Sequence, residues 1–297
     1  MKKFTILIPL YNDWESVSKL LKEIDKQTSD WDCEISIIIV NDASTEKKFG
    51  LDLSYQKIKF VKILNIKKNM VHQRCIATGL KYIYKNENFD HVIIMDADGE
   101  DRPEELNDFY KKSIENSKMT ITANRVKRSE GKVFRFFYQI HKALTFIFTG
   151  KMIRFGNFTC LPKIHVEQLI QKPYLWNSYS SSVVATIKDK DRVSIGSTRG
   201  LRYVLPSKMN FTALIFHSLA IISVFRSTVI TRSIVFFFIY LFLIFNSISF
   251  ITLFPIFFLL LFVFAILNIS MRSNIEELNN SLDNIASIDV LGNPNGR

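Results

Sequence analysis

The chain has 297 residues, of which 47% are hydrophobic, and its 39 lysines and arginines against 28 aspartates and glutamates give a formal net charge of +11. That charge suits an anionic partner. The lack of any nucleic-acid-binding motif and a very apolar C-terminal third favour a membrane over nucleic acid. The isolated cysteines, Cys33, Cys75 and Cys160, exclude a Cys-x-x-Cys redox or zinc motif.

Strand and helix patterns alternate along the first half of the chain. Short apolar runs predict five strands, at residues 4–9, 34–40, 58–64, 91–95 and 119–124. The helical spacing of apolar residues predicts three helices between them, at residues 14–26, 71–84 and 103–114. This alternation is typical of an α/β fold with a mostly parallel sheet that helices cover on both faces.

Polar residues follow three of the predicted strands. They are Tyr11, Asn12 and Asp13 after the first strand, Asn41, Asp42, Ser44 and Thr45 after the second, and Asp96, Asp98, Glu100 and Asp101 after the fourth. Parallel strands bring their carboxyl ends to one edge of the sheet, where ligands bind. We therefore expect these residues to converge on one site, although each group alone is also compatible with loop or helix-capping chemistry.

The sharpest local motif is the Asp96-Ala97-Asp98 stretch beyond the fourth strand. Two carboxylates this close repel each other unless a cation lies between them. Mg²⁺ and Mn²⁺ suit such a pair, because they are usually held by one or two carboxylates together with substrate phosphates. We therefore predict a divalent-metal site at Asp96 and Asp98, with a nucleotide diphosphate supplying the phosphates.

These motifs resemble those of glycosyltransferase family 2. The segments that carry the resemblance are PLYND, VNDAST, the Asp-Ala-Asp stretch and RYVLPSK, in that order. Within the family, the chain looks like the polyprenyl-phosphate sugar synthases, the group of dolichyl-phosphate mannose synthase and the bacterial polyprenyl-phosphate glucosyltransferases. The resemblance implies a GT-A fold, a nucleotide-sugar donor, and an inverting transfer to a lipid phosphate.

The resemblance also implies roles for individual residues. Asp42 contacts the base or ribose, within a donor-binding set that comprises Pro9, Tyr11, Asp13, Val40, Asp42, Asp96, Ala97, Asp98, Glu100 and Arg125. The catalytic set comprises Asp98, Arg125, Arg202, Ser207 and Lys208. Within this catalytic set, Arg125 faces the donor phosphates. The last three residues offer a guanidinium, a hydroxyl and an ammonium to the acceptor phosphate near the membrane.

The chain departs from the family pattern at several positions. Glu100 stands where relatives often carry Gln, Val71 replaces a glycine, and the segment 156–163 differs from one that often carries Asp. Other departures are Asp13 for Glu, Cys75 for Ala and Leu205 for Gly. His72 and His91 have no metal-ligand spacing, so we interpret both as packing or surface residues.

The C-terminal third contains a long uncharged stretch, residues 234–270. One transmembrane helix needs about 20 residues, so the stretch suits two spans if the first begins a few residues earlier. Arg226 and Arg232 precede the stretch, Arg272 follows it, and its turn has no Lys or Arg, which places both ends in the cytoplasm. The apolar segment 211–225 is interpreted as an interfacial helix, with a third span as the alternative.

These features predict four segments. They are a cytoplasmic GT-A domain over residues 1–206, an interfacial amphipathic helix over 207–228, a transmembrane hairpin over 229–271 and a cytoplasmic tail over 272–297. The predicted protein is a multi-pass membrane glycosyltransferase with its catalytic domain and both termini in the cytoplasm. It uses Mg²⁺ or Mn²⁺ to move a sugar from a nucleotide-diphosphate sugar to a polyprenyl phosphate, with inversion.

Two other interpretations stay open. In one, the acceptor is a sugar hydroxyl of a cell-surface glycan or glycolipid, and a carboxylate base is needed, with Asp101 or Glu100 as candidates. A lipid phosphate needs no base, because its second pKa lies near about 6 and it is already a nucleophile at neutral pH. In the other, the chain is a catalytically silent membrane scaffold. The sequence is also compatible with a homo-oligomer.

Overall fold

The computed structural model describes residues 1–46, 48, 51, 55–127, 132–204 and 211–292. Its strands are β1 Lys2–Leu10, β2 Cys33–Asn41, β3 Ile58–Ile66, β4 His91–Ile94, β5 Thr120–Lys127, β6 Phe155–Pro162, β7 Arg192–Thr198 and β8 Ile285–Leu291. They form one eight-stranded sheet in the order β7-β5-β6-β4-β1-β2-β3-β8.

The α-helices lie on both faces of the sheet and in a C-terminal bundle. They are α1 Trp14–Gln27, α2 His72–Asn86, α3 Leu106–Glu115, α4 Lys132–Thr149, α5 Lys163–Ile170, α6 Tyr179–Thr186, α7 Phe211–Ser223, α8 Arg226–Ile244, α9 Phe250–Ser270 and α10 Ile275–Asn279. A 3₁₀ turn at Pro103–Glu105 leads into α3.

The centre of the sheet, β4-β1-β2-β3, is parallel. These strands are nearly continuous apolar runs because helices cover both of their faces. Along β1, Phe4 and Ile6 belong to the core under α1 and α3, whereas Leu7 belongs to the core under α2 and α5. The five predicted strands and three predicted helices are present with small differences at their ends, and the predicted α/β class is confirmed.

The other half of the sheet is less regular. Strand β6 runs antiparallel between β4 and β5, and β7 runs parallel to β5. The sequence pattern predicted β5 but neither β6 nor β7. In β6 the polar residues Asn157 and Thr159 interrupt the apolar pattern, and β7 has only one buried position, so neither strand gives a strong periodic signal.

Two of the described helices, α8 with 19 residues and α9 with 21, are long and apolar enough to cross a membrane. They are joined by a short turn, and Tyr240 Oη donates across the pair to the carbonyl of Thr252 at 3.0 Å. Outward-facing side chains such as Phe242 and Phe264 are exposed. The predicted pair of long apolar C-terminal helices is therefore confirmed.

Helices α4 and α7 pack against the domain side of this helix pair. Arg232 Nη1 of α8 donates to the carbonyls of Phe146 and Ile147, at 3.2 and 2.7 Å, and so caps the C-terminal end of α4. Ile222 of α7 is buried in a small apolar cluster with residues of α8 and α9. The predicted interfacial helix over 207–228 corresponds in part to α7, and residues 207–210 lie outside the described residues.

The chain returns to the sheet after α9, which the sequence analysis did not anticipate for residues 272–297. Strand β8 pairs antiparallel with β3 and closes that edge. The buried Lys81 Nζ donates to the carbonyls of Leu278 and Asn279 at 2.8 and 2.7 Å, and Trp176 Nε1 donates to Glu277 at 2.8 Å. Because β8 is a short edge strand with mostly exposed side chains, its sequence lacks the alternation that signals a strand.

Candidate active site

The carboxyl ends of β1, β2 and β4 lie side by side at one edge of the sheet. The register pairs Pro9 with Val40 and Leu7 with Ile94, so the polar residues that follow these strands converge as expected. Pro9 and Val40 are buried beneath this edge, whereas Tyr11 is 44% exposed at its rim.

The loops after β1 and β2 are tied together by Asn12. Its side-chain oxygen accepts the backbone N–H groups of Thr45 and Glu46, at 2.7 and 3.1 Å, and its amide donates to Thr45 Oγ1 at 2.9 Å. The backbone N–H of Asn12 donates to Ser44 Oγ at 2.9 Å. Asn12 has a φ of 49°, a left-handed conformation that asparagine tolerates better than most residues. These bonds hold the loop that carries Asp13 against the loop that carries Asp42.

Asp42 holds the start of α2. It is 3% exposed, and its two carboxylate oxygens accept the backbone N–H groups of Met70 and Val71 at 2.6 and 3.0 Å. Val71 has a φ of 76°, which is unfavourable for a β-branched residue. This is the position where the family pattern has glycine. The carboxylate thus has a structural use, and its contact with the nucleoside stays a prediction.

Asp96 is held through one of its two oxygens. Oδ1 lies 3.2 Å from His72 Nε2 and accepts a 3.2 Å hydrogen bond from Asn157 Nδ2. The backbone N–H of Asp96 donates to Asp101 Oδ2 at 2.9 Å, which fixes the turn of the loop. Among the residues that the structure describes, none donates to Asp96 Oδ2. That oxygen is free to bind a ligand.

Asp98 forms an ion pair with Arg202. Arg202 Nη1 lies 2.8 Å from Asp98 Oδ2 and 3.8 Å from Glu100 Oε1, and Nη2 lies 4.0 Å from Asp13 Oδ2. The other oxygen of Asp98 accepts the backbone N–H of Glu100 at 2.9 Å. One guanidinium therefore neutralises acidic groups from two different strand ends.

The segment 199–203, the site strap, delivers this arginine. The N–H of Gly200 donates to the carbonyl of Glu100 at 2.8 Å, and the N–H of Tyr203 donates to the carbonyl of Asp98 at 2.9 Å. Arg199 in the strap also forms an ion pair with Glu100. Gly99 has a φ of 86°, and a Cβ there would lie 2.7 Å from the Tyr203 ring, so the close contact requires glycine.

The carboxylates differ in their affinity for a proton. Burial disfavours the charged form of Asp96, but the charge of His72 and hydrogen bonds from His72 and Asn157 outweigh it and lower the pKa of Asp96 to about 2. Burial, and then the charge of Asp96, raise the pKa of Asp98 to about 6. The same two causes raise the pKa of Asp101 well above its ordinary value. Additional positive charge at this edge would therefore be stabilising.

The remaining predicted residues are placed less directly. Arg125 Nη2 lies 3.9 Å from Asp101 Oδ1, and its contact with donor phosphates stays a prediction. Ala97 is buried between the two aspartates of the motif. Ser207 and Lys208 lie outside the described residues. Arg202 therefore contacts a carboxylate of the site, Asp98, and does not face only the membrane surface.

Four residues near the site were missed by the sequence analysis. His72, interpreted from the sequence as a packing or surface residue, is partly exposed and its Nε2 also contacts Asp96 at 3.2 Å. Gln73 and Asn157 contact each other beside it, and Arg199 contacts Glu100. The available signals were indirect: His72 and Gln73 follow the unusual Val71, and Asn157 lies in the segment that departs from the family pattern.

The donor set of the site fits a hard divalent cation. Within the described residues, Oδ2 of Asp96 accepts no hydrogen bond, and Oδ2 of Asp98 is held by Arg202, whose positive charge a metal ion could replace. In the described part of the chain, no group of three or more His, Cys, Asp or Glu side chains is arranged to hold a metal by itself. A carboxylate pair completed by phosphate oxygens is nevertheless a usual arrangement for Mg²⁺.

Comparison with known proteins gives a match to one family. The sequence model described as "Glycosyl transferase family 2" matches residues 5–177, a range that contains β1 to β6 and the acidic residues of the site.

Two curated relatives illustrate the range of similarity. An uncharacterized glycosyltransferase of Synechocystis sp., sll0501, is 27% identical over 148 residues, which cover 48% of this chain and 45% of that protein. An undecaprenyl-phosphate 4-deoxy-4-formamido-L-arabinose transferase of Photorhabdus laumondii is 22% identical over 219 residues, which cover 72% of this chain and 65% of that protein. The chain thus covers less than two thirds of the length of either relative.

Solved structures share the fold at low sequence identity. Glucosyl-3-phosphoglycerate synthase of Mycobacterium tuberculosis, in complex with Mn²⁺, UDP-glucose and phosphoglyceric acid, gives a TM-score of 0.54 at 11% identity, covering 77% of this chain and 80% of that one. Mannosyl-3-phosphoglycerate synthase of Rubrobacter xylanophilus gives 0.53 at 15% identity, covering 75% and 72%. These likenesses confirm the predicted GT-A-type fold.

The Asp42 contacts generate a stability prediction. Asp42→Ala should lower the free energy of unfolding by about 3 kcal/mol or more, because hydrogen bonds to a charged group contribute about 1.5–3 kcal/mol each and the N–H groups of Met70 and Val71 both lose their acceptor. Adding Val71→Gly should restore about 1 kcal/mol, since glycine adopts this backbone conformation without strain. Thermal unfolding in detergent measures both changes, with the exposed Asp108→Ala as the control. An Asp42→Ala protein as stable as the wild type would contradict this account.

Proposed function

The chain belongs to glycosyl transferase family 2, and we propose that it moves a sugar from a nucleotide-diphosphate sugar to a polyprenyl phosphate, with inversion at the anomeric carbon. The observation that carries this proposal is the cluster of Asp96, Asp98 and Arg202 at the carboxyl edge of the sheet. The presence of two long apolar helices in the same chain supports a lipid as the acceptor. The Photorhabdus laumondii relative, whose name gives undecaprenyl phosphate, supports that choice.

The donor nucleotide lies across the ends of β1 and β2 in this proposal. Pro9, Val40 and Ala97 form the buried floor, and the exposed ring of Tyr11 is available to the nucleoside. Asp13 stands beside the nucleoside, with Arg202 4.0 Å away. The Mn²⁺ and UDP-glucose complex of the Mycobacterium tuberculosis enzyme, which shares the fold, supports a nucleotide-sugar donor.

Asp96 and Asp98 are the residues that would hold Mg²⁺ or Mn²⁺ together with the donor diphosphate. The ion would stabilise the negative charge that develops on the departing diphosphate. The chain contributes the orientation of the two carboxylates: one oxygen of each is already held, by Asn157 in Asp96 and by the N–H of Glu100 in Asp98. Arg125 and Arg202 supply positive charge to the phosphates of the two substrates.

A phosphate acceptor agrees with the contacts of the two candidate bases, Glu100 and Asp101. The two carboxylates that could serve a hydroxyl acceptor are both engaged: Glu100 pairs with Arg199, and Asp101 accepts the backbone N–H of Asp96. Asp101 is also only 4% exposed, so an acceptor hydroxyl has poor access to its carboxylate. A lipid phosphate monoester needs no such base.

A catalytically silent scaffold accounts less well for the same edge. Burying several carboxylates close together costs free energy, which a scaffold has no reason to retain. The unengaged Oδ2 of Asp96 and the exchangeable Asp98–Arg202 pair are what a metal and phosphate site requires.

The membrane arrangement follows from the path of the chain in this proposal. Helices α8 and α9 span the bilayer, α7 lies at its surface, and β8 belongs to the same sheet as the acidic residues. Both ends of the helix pair therefore lie on the side of the catalytic edge. The arginines at these ends, Arg226 and Arg272, make that side the cytoplasmic one.

Loss of the Asp98 carboxylate tests the donor site. Asp98→Ala should lower kcat/KM for transfer about 30-fold or more, which corresponds to about 2 kcal/mol of transition-state stabilisation. EDTA should abolish transfer, and Mn²⁺ or Mg²⁺ should restore it. Radiolabelled UDP-, GDP- and dTDP-sugars with purified protein and polyprenyl phosphate provide the assay, and Asp108→Ala is the matched control on the exposed face of α3. Full activity in EDTA would sink the assignment.

Arg202 tests the acceptor. Arg202→Ala should raise KM for polyprenyl phosphate at least about tenfold, because a hydrogen bond to a charged group contributes about 1.5–3 kcal/mol. The measurement is steady-state kinetics in neutral detergent micelles, which remove anionic headgroups. Arg226→Ala is the control, since that exposed arginine is the first residue of α8, one of the two long apolar helices. Equal effects of the two substitutions would show a general membrane attraction instead.

The topology is tested by labelling introduced cysteines. The native cysteines are all buried, so new thiols give a clean signal. Ser247→Cys, in the turn between α8 and α9, should react with a membrane-impermeant maleimide in intact cells. Ser287→Cys, exposed on β8, should react only after lysis. Labelling of both positions from outside would contradict the proposed orientation.

A further inference from the structure

We propose that Asn157 and Gln73 are positioning residues that turn the free oxygen of Asp96 toward the metal and the donor diphosphate. The proposal rests on the assignment of Asp96 as a metal ligand in the proposed function. It concerns two side chains that neither the strand pattern nor the family motifs singled out, and it assigns each of them a defined orientation.

The path begins at an unambiguous donor, the backbone N–H of Tyr179 at the start of α6. That N–H donates to Gln73 Oε1 at 2.6 Å. A backbone N–H can only donate, so the oxygen end of the Gln73 amide must face it. The nitrogen end of Gln73 then faces Asn157, where Nε2 donates to Oδ1 at 3.3 Å.

The orientation of Asn157 follows from that of Gln73. Once its oxygen accepts from Gln73, its Nδ2 faces the opposite way, where it lies 2.9 Å from His72 Nε2 and donates to Asp96 Oδ1 at 3.2 Å. The polarity of both amides is thus determined by one main-chain group. The result is a directed relay, Tyr179 to Gln73 to Asn157 to Asp96, which ends with a donor on one oxygen of the carboxylate.

The start of the relay is rigid. The Tyr179 side chain is fully buried, and its hydroxyl hydrogen bonds to Thr159 on β6. Asn157 lies two residues away on the same strand, so the first and third members of the relay are both held by β6. With Oδ1 of Asp96 held in this way, Oδ2 is the oxygen that the site presents to a cation.

Hydrogen-bonded partners behind a metal ligand commonly affect metal affinity 10–100-fold. We therefore expect Asn157→Ala and Gln73→Met each to weaken Mn²⁺ binding by about tenfold. Because Gln73 acts through Asn157, the double variant should bind Mn²⁺ no more weakly than Asn157→Ala alone.

Gln73→Glu tests the polarity of the relay. It keeps the acceptor for Tyr179 and the size of the side chain, but it removes the donor to Asn157. The Asn157 amide should then reverse, so that its oxygen faces His72 Nε2 and Asp96 Oδ1 and the carboxylate loses its amide donor. A carboxylate added near a cation would by itself strengthen Mn²⁺ binding, so weaker binding by Gln73→Glu is specific to the relay.

The experiment is titration of Mn²⁺ into the full-length protein in detergent, followed by electron paramagnetic resonance, with UDP, GDP or dTDP present at saturation. Asn107→Ala is the matched control, because it removes a partly buried amide that contacts Trp31 on the α1 and α3 side of the sheet. Thermal unfolding checks that each variant is folded. If Asn157→Ala does not fold, Gln73→Glu still tests the relay, because it retains the hydrogen bond to Tyr179.

The outcomes separate this inference from the proposed function. If the wild type binds Mn²⁺, Asp96→Ala does not, and the Gln73 and Asn157 variants bind like the wild type, the relay is refuted and the metal site stands. Independent, multiplying effects of Gln73→Met and Asn157→Ala would also refute the relay. If the wild type binds no Mn²⁺ with any of the nucleotides, the proposed function fails and the relay fails with it.

Discussion

The constraint on which this structure depends is the crowding of negative charge at one edge of the sheet. Asp13, Asp96, Asp98, Glu100 and Asp101 lie at or just beyond the strand ends, and several of them are largely buried. Buried charges are tolerated only where opposite charges and donors meet them. The compensating groups come from distant parts of the chain: His72 from α2, Arg125 from β5, and Arg199 and Arg202 from the site strap. The acidic edge is therefore neutralised as these elements fold against it.

The first turn of α2 connects the acidic edge to the C-terminal helices. His72 and Gln73 face Asp96 and Asn157, while the next residue, Arg74, lies 3.5 Å from Glu277 and stacks on Trp176 at 4.9 Å. Glu277 follows closely after α9. The first turn of α2 therefore contacts both the site and the segment that follows the helix pair. These contacts fix the distance of the acidic edge from any bilayer that the helices cross.

Departures from the family pattern are matched by local partners. Val71, in place of glycine, is held in its left-handed conformation by Asp42. Glu100, where relatives often carry a neutral amide, is balanced by Arg199. Asn157 lies in a segment that often carries Asp in the family, and here it is oriented by Gln73. Each of these three side chains thus has a partner in this structure that holds its charge or conformation.

The sequence by itself determined the elements whose signal is local. Continuous apolar runs identified β1 to β5, helical periodicity identified α1 to α3, and the long uncharged stretch identified α8 and α9, because each pattern reflects the burial of that element's own side chains. The convergence of Asp13, Asp42, Asp96 and Asp98 followed from parallel strand order alone. Only the tertiary structure showed that β6 separates β4 from β5, that β8 closes the sheet, and that Arg202 lies on Asp98. These features depend on which distant groups complement each other in charge and hydrogen bonding. A contact such as Lys81 with Leu278 or Gln73 with Tyr179 leaves no periodic trace in either segment, since its energy arises only when the folded chain brings the two together.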